Sequence, residues 1–178
     1  MSQDRLSTST AGGAPADGAS SCLPRELVAE PRDRERWSAT RLCVGCSERG
    51  ACQLGIDVDI APGGVRGTVR LPRRYQGGGG GAAHGGFIAA VLDEVSGLVA
   101  MTFGRLAVTK SLEIRFRRPM PVGVRLQVEA GVVGVSGREW WVDSRISDGD
   151  GADVASGSGV FVEPRTRGGR RSEPPRPA

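Results

Sequence analysis

Aromatic residues are scarce: this chain of 178 residues has four Phe, three Trp and one Tyr, 4% in all. So few rings leave little for unpaired bases to stack on, which weighs against nucleic acid as a ligand. No apolar run reaches the roughly 18 residues that a membrane span requires. The segment Met1 to Ser21 lacks the basic start and apolar stretch of a secretory signal, with Asp4, Arg5 and Asp17 scattered among Ser, Thr, Gly and Ala. A cytoplasmic protein that engages no membrane is the resulting expectation.

An excess of one charge is missing too, once the charges are located. The chain carries 24 basic and 20 acidic side chains, a formal net charge of +4. Residues 164–178 hold Arg165, Arg167, Arg170, Arg171 and Arg176 against Glu173 alone, which accounts for the whole +4. The rest therefore has nineteen side chains of each sign. A tail of Pro, Gly and Arg has almost nothing to bury, so a flexible, solubilising extension is expected there.

Cysteines are few: Cys22, Cys43, Cys46 and Cys52. Cys43-Val44-Gly45-Cys46 has the spacing of a metal knuckle or redox pair. On paper Cys52 with Cys22 or His84 completes a zinc set. No second CxxC accompanies it and His84 has a better use, so no metal is expected and the pair reads as a reduced local turn.

What the chain does have is alternation. Gln53 to Ile60 places Leu54, Ile56, Val58 and Ile60 on one face, as a half-buried strand should. Pro62-Gly63-Gly64 is a turn, and Val65 to Leu71 repeats the pattern, so a hairpin is expected. Gln76 then opens a run of five glycines, Gly77 to Gly81, which reads equally as a linker or as a loop gating a site. Phe87 to about Met101 is the one long apolar segment of helical length, apolar on so much of its surface that it should be enclosed. Period two returns in Ala107 to Phe116, with Val108, Lys110, Leu112, Ile114 and Phe116 on one face and Thr109, Ser111, Glu113 and Arg115 on the other. Strands over Arg125 to Val135, Arg138 to Ser147 and Ala152 to Val162 complete a four-strand meander. Pro24 to Arg36 leaves room for a short helix before Trp37. With one helix to cover all these strands, the fold class is α+β, a curved antiparallel sheet wrapped around a central helix and completed by dimerisation through its edge or face. The expected layout is a flexible extension over 1–38, a folded domain over 39–163 and the Arg/Pro-rich tail over 164–178.

Chemistry concentrates at the helix. His84, Gly85 and Gly86 stand at its mouth, where unpaired backbone N–H groups and the positive dipole end suit an oxygen that develops negative charge. Asp93 follows eight residues after Gly85, on a stripe with Ala89, Ala90 and Gly97. Those neighbours are too small to cover a carboxylate, so a ligand or a partner subunit can reach it. The plainer reading makes His84 a helix cap and Asp93 a buried acid bonded to a neighbouring strand. Glu94 reads as a salt-bridge or dimer-contact residue.

This pattern resembles the hotdog-fold acyl-CoA thioesterases of the PaaI-like type, over about residues 41 to 163. The likeness rests on His84-Gly85-Gly86 with Asp93, Cys43-Val44-Gly45-Cys46 before the first strand, Tyr75-Gln76-Gly77, Val108-Thr109, and Arg118-Pro119 followed by Val122-Gly123. It implies a hotdog fold and hydrolysis of an acyl- or aryl-coenzyme A thioester across a homodimer interface, the dimers often pairing again. By this resemblance Asp93 is the catalytic carboxylate, acting as general base or as nucleophile. Gly85 N–H polarises the carbonyl with Gly86 nearby, His84 holds the carbonyl or the loop, and Thr109 positions the water or the partner chain's Asp93. No cofactor is required beyond the coenzyme A of the substrate.

One departure is visible. Many relatives carry Asn or Gln about six residues before the histidine, where this chain has Gly78; Gln76 is the nearest substitute, and it serves only if the glycine run folds back. Arg115, Arg117 and Arg118, with Arg73 and Arg74 before the glycine loop, are candidates for contacts to coenzyme A phosphates. Phe87, Leu92, Val95, Trp140 and Trp141 are candidates for an acyl pocket, although alternation sends the two tryptophans to opposite faces. An acyl carrier protein in place of free coenzyme A is also open. Two other readings stand beside hydrolysis: a non-catalytic acyl-thioester-binding module, and a hotdog hydratase or dehydratase.

Overall fold

A sheet of six strands curls around a single long helix. The computed structural model describes residues 52–78 and 80–165. The short helix expected before Trp37, the pair Cys43 and Cys46, Cys22, the extension over 1–38 and the chain beyond Arg165 lie outside the described residues. In chain order the elements are β1 (Ile56–Ala61), β2 (Gly64–Val69), α1 (Gly85–Thr102), β3 (Val108–Phe116), β4 (Leu126–Ser136), β5 (Glu139–Ser147) and β6 (Asp153–Val162). This is a hotdog fold.

The first hairpin turns through Pro62 and Gly63, whose φ of +76° is open to glycine at little cost. Beyond it the expected meander is only partly right. The sheet order is β1-β2-β4-β5-β6-β3, antiparallel throughout. β4, β5 and β6 do form a meander, but β3 leaves the helix for the far edge and pairs with the last strand. Hydrophobic alternation specifies which face a strand buries and says nothing about which neighbour it takes.

α1 passes, by length and composition, for a membrane-crossing helix, with 18 residues and a mean hydropathy of 1.4. Here it is the core of the domain. Val91, Leu92, Val95 and Val99 are wholly buried against Val69, Val128, Val142, Ala155 and Phe161 of the sheet. Close approach is possible because β6 offers glycine under the helix: a Cβ on Gly157 would lie 3.6 Å from the Leu92 Cβ and 2.9 Å from Ser144 Oγ. Trp140 joins this core, whereas Trp141 stands on the outer face, the split that alternation requires. Leu92, Val95 and Trp140 are therefore core residues and do not line an acyl pocket.

Candidate active site

The helix begins where the chain is held from two sides. His84 N donates to Tyr75 O at 2.9 Å and Ala83 N to Met120 O at 2.8 Å. The glycine run between them does fold back: Gly77 N donates to Ala82 O at 2.8 Å, and Gln76 pairs with Ala83. Gln76 is thus brought beside the residue before His84, with its exposed side chain at the base of the loop. The Tyr75 ring stacks on Phe87 at 4.1 Å and ties the loop to the first turn of α1.

His84 is the N-cap. Its Nδ1 accepts from Gly86 N at 3.0 Å, and its carbonyl accepts from Phe87 N at 3.0 Å. Nδ1 is thereby an acceptor, so the neutral ring carries its proton on Nε2. The expectation of free N–H groups on both glycines needs correction, because Gly86 has given its hydrogen to the cap. Gly85 is the first residue of the helix, and among the described residues its amide donates to no one. The Phe116 ring of β3 lies beside it, 3.5 Å from where a Gly85 side chain would begin.

Asp93 sits two turns further along, half-buried. Thr109 Oγ1 donates to its Oδ1 at 2.7 Å. The two belong to one chain. The pairing also overturns the face assigned to Thr109. Strict alternation sends it outward with Ser111, Glu113 and Arg115. The register shifts between Thr109 and Ser111, and the extra residue turns Thr109 toward the helix. Lys110 goes outward instead and pairs with Glu139 at 2.5 Å.

Around this pair opens a cleft of about 220 Å³ lined by Glu94, Gly97, Leu98, Met101, Leu106 and Val108 together with Asp93 and Thr109. Glu94 shares the cleft and makes no ion pair among the described residues; burial, and then the charge of Asp93, push its carboxyl above the usual glutamate range. The lip carrying Leu106 is pinned from behind. Arg105 grips Glu163 through Nε at 3.0 Å and Nη2 at 2.7 Å, and Trp140 Nε1 donates to the same carboxylate at 2.9 Å. Burial alone would raise the Glu163 carboxyl, yet the bonds from Arg105 and Trp140 and the charges of Arg105 and Arg138 outweigh it and hold it low.

A profile of the thioesterase superfamily matches residues 80–155, the stretch that contains His84, Asp93 and Thr109. The acyl-coenzyme A thioesterase THEM5 of Mus musculus is 32% identical over 93 residues, 52% of this chain and 38% of that protein. A crystal structure of a thioesterase superfamily protein is 35% identical, with a TM-score of 0.55 over 59% of this chain and 54% of that one. Over residues 80–155 the chain is similar to the thioesterase superfamily, on the hotdog fold described above. The PaaI protein of the E. coli phenylacetic acid degradation operon has the same fold, at 24% identity and a TM-score of 0.57 over 62% of this chain and 84% of that one. The matched region spans well under two thirds of the mouse relative.

The chain keeps some of its expected site together and disperses the rest. Asp93 and Thr109 meet; His84, Gly85 and Gly86 form the cap. Arg115 is paired with Glu113 at 3.0 Å and Arg118 with Asp148 at 3.0 Å, so two of the five arginines expected to hold phosphate already have carboxylate partners. Phe116, Leu106 and Met101 were missed. For Phe116 and Leu106 the signal is exposure of a large apolar side chain, 55% and 59%, and for half-buried Met101 it is a place on the cleft wall, neither of which a sequence displays. Among the described residues, no three His, Cys, Asp or Glu side chains converge as a metal site would require.

Proposed function

We propose that this protein hydrolyses an acyl- or aryl-coenzyme A thioester to the free acid and coenzyme A, in a site completed by a second copy of the chain. The observation that carries this reading is the Thr109–Asp93 pair, a carboxylate oriented by a hydroxyl and open to an apolar cleft. Asp93 acts as general base on a water held in the cleft. The hydroxide so formed adds to the thioester carbonyl carbon while the carbonyl oxygen gathers negative charge. The Gly85 N–H, at the positive end of α1, is the donor suited to that oxygen. Collapse of the adduct breaks the carbon–sulfur bond, and the proton taken by Asp93 passes to the departing thiolate.

Distance makes the second copy necessary. Eight residues of helix separate Gly85 from Asp93, about 12 Å along the axis at 1.5 Å per residue. One thioester carbonyl cannot meet both the N-terminus and the middle of the same helix. Pairing two chains along β3 supports the reading, because this edge strand exposes Val108 and Phe116, at 50% and 55%, together with unpaired backbone groups. Two copies related by a two-fold axis there would bring each Asp93 toward the other chain's helix N-terminus.

The test is thiol release from a panel of acyl- and aryl-coenzyme A thioesters, for the wild type, D93A and D93N. Turnover by the wild type and its loss in both folded variants is the expected result. Intact thioesters across the panel with a folded wild type would sink the proposal.

A further inference from the structure

Of the thirteen cations among the described residues, six form ion pairs with carboxylates: Arg66, Arg105, Lys110, Arg115, Arg118 and Arg145. Arg117, Arg138 and Arg165 form none and are scattered over the sequence. Arg70, Arg73, Arg74 and Arg125 form none among the described residues, and all four are exposed. They lie on two segments that the backbone ties together. Gly123 N donates to Leu71 O at 2.7 Å, and Arg70 Nε donates to Gly123 O at 2.7 Å. Arg73 lies against the same glycine, its Cγ and Nε each 3.7 Å from where a Cβ would stand. Arg125 follows two residues on, after Val124, an apolar side chain 46% exposed. Arg74 is turned aside, donating to Gln53 Oε1 at 2.6 Å and lying over the Tyr75 ring. Two guanidinium side chains thus meet at Gly123, with a third arginine and an exposed valine next along the same segment, and among the described residues none of the three arginines has a carboxylate partner; such a concentration of one charge favours an anion.

The turn's address names the anion. Arg73 is two residues from Tyr75, at most about 7.6 Å of chain, and Tyr75 O accepts from His84 N at 2.9 Å. The cations therefore stand a short walk across Tyr75 from the Gly85 amide, on the same end of α1. A coenzyme A thioester has the matching layout: a reactive carbonyl at one end, an uncharged arm, and a nucleotide bearing all the phosphates. We infer that Arg70, Arg73 and Arg125 form an anion seat for the phosphate-bearing nucleotide of coenzyme A, with Val124 as an apolar surface beside it. The inference rests on the thioester reading above; it keeps Arg73 from the phosphate candidates of the sequence, adds Arg70 and Arg125, and leaves out Arg115 and Arg118, which have carboxylate partners. Arginine suits the role because its fork matches phosphate oxygens and its charge persists at any working pH.

The experiment uses R73Q/R125Q, which removes two exposed cations without other partners and leaves the Arg70–Gly123 bond intact. Calorimetry compares coenzyme A, 3′-dephospho-coenzyme A and pantetheine as ligands. The wild type should bind them in that order of falling affinity, and the variant should lose about tenfold or more for coenzyme A while its affinity for pantetheine holds. In turnover, KM for an acyl-coenzyme A should rise with little change in kcat. The corresponding N-acetylcysteamine thioester, which has no phosphate, separates lost binding from a disturbed site. Equal affinity of the wild type and the variant for coenzyme A would overturn the seat, as would a wild type that binds no coenzyme A. A variant that fails only on an acyl carrier protein thioester would overturn it too, by giving the cations to an acidic protein surface. Loss of coenzyme A affinity in the variant, with no hydrolysis by the wild type, would support the seat and refute the hydrolytic reading alone.

Discussion

Thr109 reaches Asp93, at 2.7 Å, because β3 carries one residue too many between Thr109 and Ser111. That bulge turns a side chain of the outer face into the partner of the helix carboxylate. Removing the base should cost more than removing its orienting bond. D93N is expected to lose about 10²- to 10⁴-fold in kcat. T109V, which keeps the shape and drops the hydroxyl, should lose about 10- to 100-fold, as befits one hydrogen bond to a charged group. T109S should stay close to wild type. Thiol-release kinetics on the best substrate of the panel read all three; a T109V enzyme as fast as wild type would remove Thr109 from the mechanism.

His84 is argued to work through the cap. Asparagine places an acceptor oxygen where the imidazole places Nδ1, so H84N should keep the bond from Gly86. H84A should lose about 1 kcal/mol of stability, measured by urea unfolding, as cap deletions do. Turnover should fall in H84A and largely return in H84N. If H84N is fully stable yet as slow as H84A, the ring touches substrate through Nε2 instead.

Glu94 sets a pH dependence whose sign is determined. Its carboxyl is raised in the folded chain by burial and by Asp93, so the native state binds its proton more tightly than the unfolded state does. Stability from this group is therefore full below the ordinary glutamate pKa and is lost as pH rises from there through the raised value. E94Q should match the wild type in acid and exceed it in melting temperature near neutral pH. Thermal unfolding across that range checks it, and parallel curves for the two proteins would contradict it.

The proposed pairing of two chains runs along the edge strand β3. V108D puts a charge on the apolar edge of β3 and should convert a dimer to a monomer in sedimentation velocity, with turnover lost although Asp93 and Thr109 are untouched. Mixing D93N chains with chains disabled at the helix N-terminus by G85P should restore part of the activity, since one of the two sites in the mixed dimer is then whole. A V108D monomer as active as the wild type would show that one chain suffices.

Much of this was legible in the residues. The alternation of Val65 to Leu71, the Pro62-Gly63 turn and the enclosed helix after His84-Gly85-Gly86 all follow from period and turn chemistry, and all stand in the fold. Asp93 was legible as a carboxylate its neighbours could not cover. Thr109 was singled out by resemblance alone, since its place in the alternation pointed the wrong way. Strand order was hidden because β3 and β4 alternate equally well whichever neighbours they take. The pairing of Arg115 and Arg118 with acids was hidden for a similar reason: Arg118 meets Asp148 across 30 residues of chain, a contact that the topology creates.

That topology also dictates an order of assembly. β3 is made before β4, β5 and β6, yet among the described residues its one strand partner is β6, the last of the described strands to leave the ribosome. Until residues 153–162 arrive, the strand bearing Thr109 has no partner among the described strands. Closing this pairing late is a long-range step, slow to nucleate and open to association with other nascent chains. The same edge that waits for β6 on one side is the one offered to a second copy on the other, so chains that meet too early can pair through the wrong side of β3.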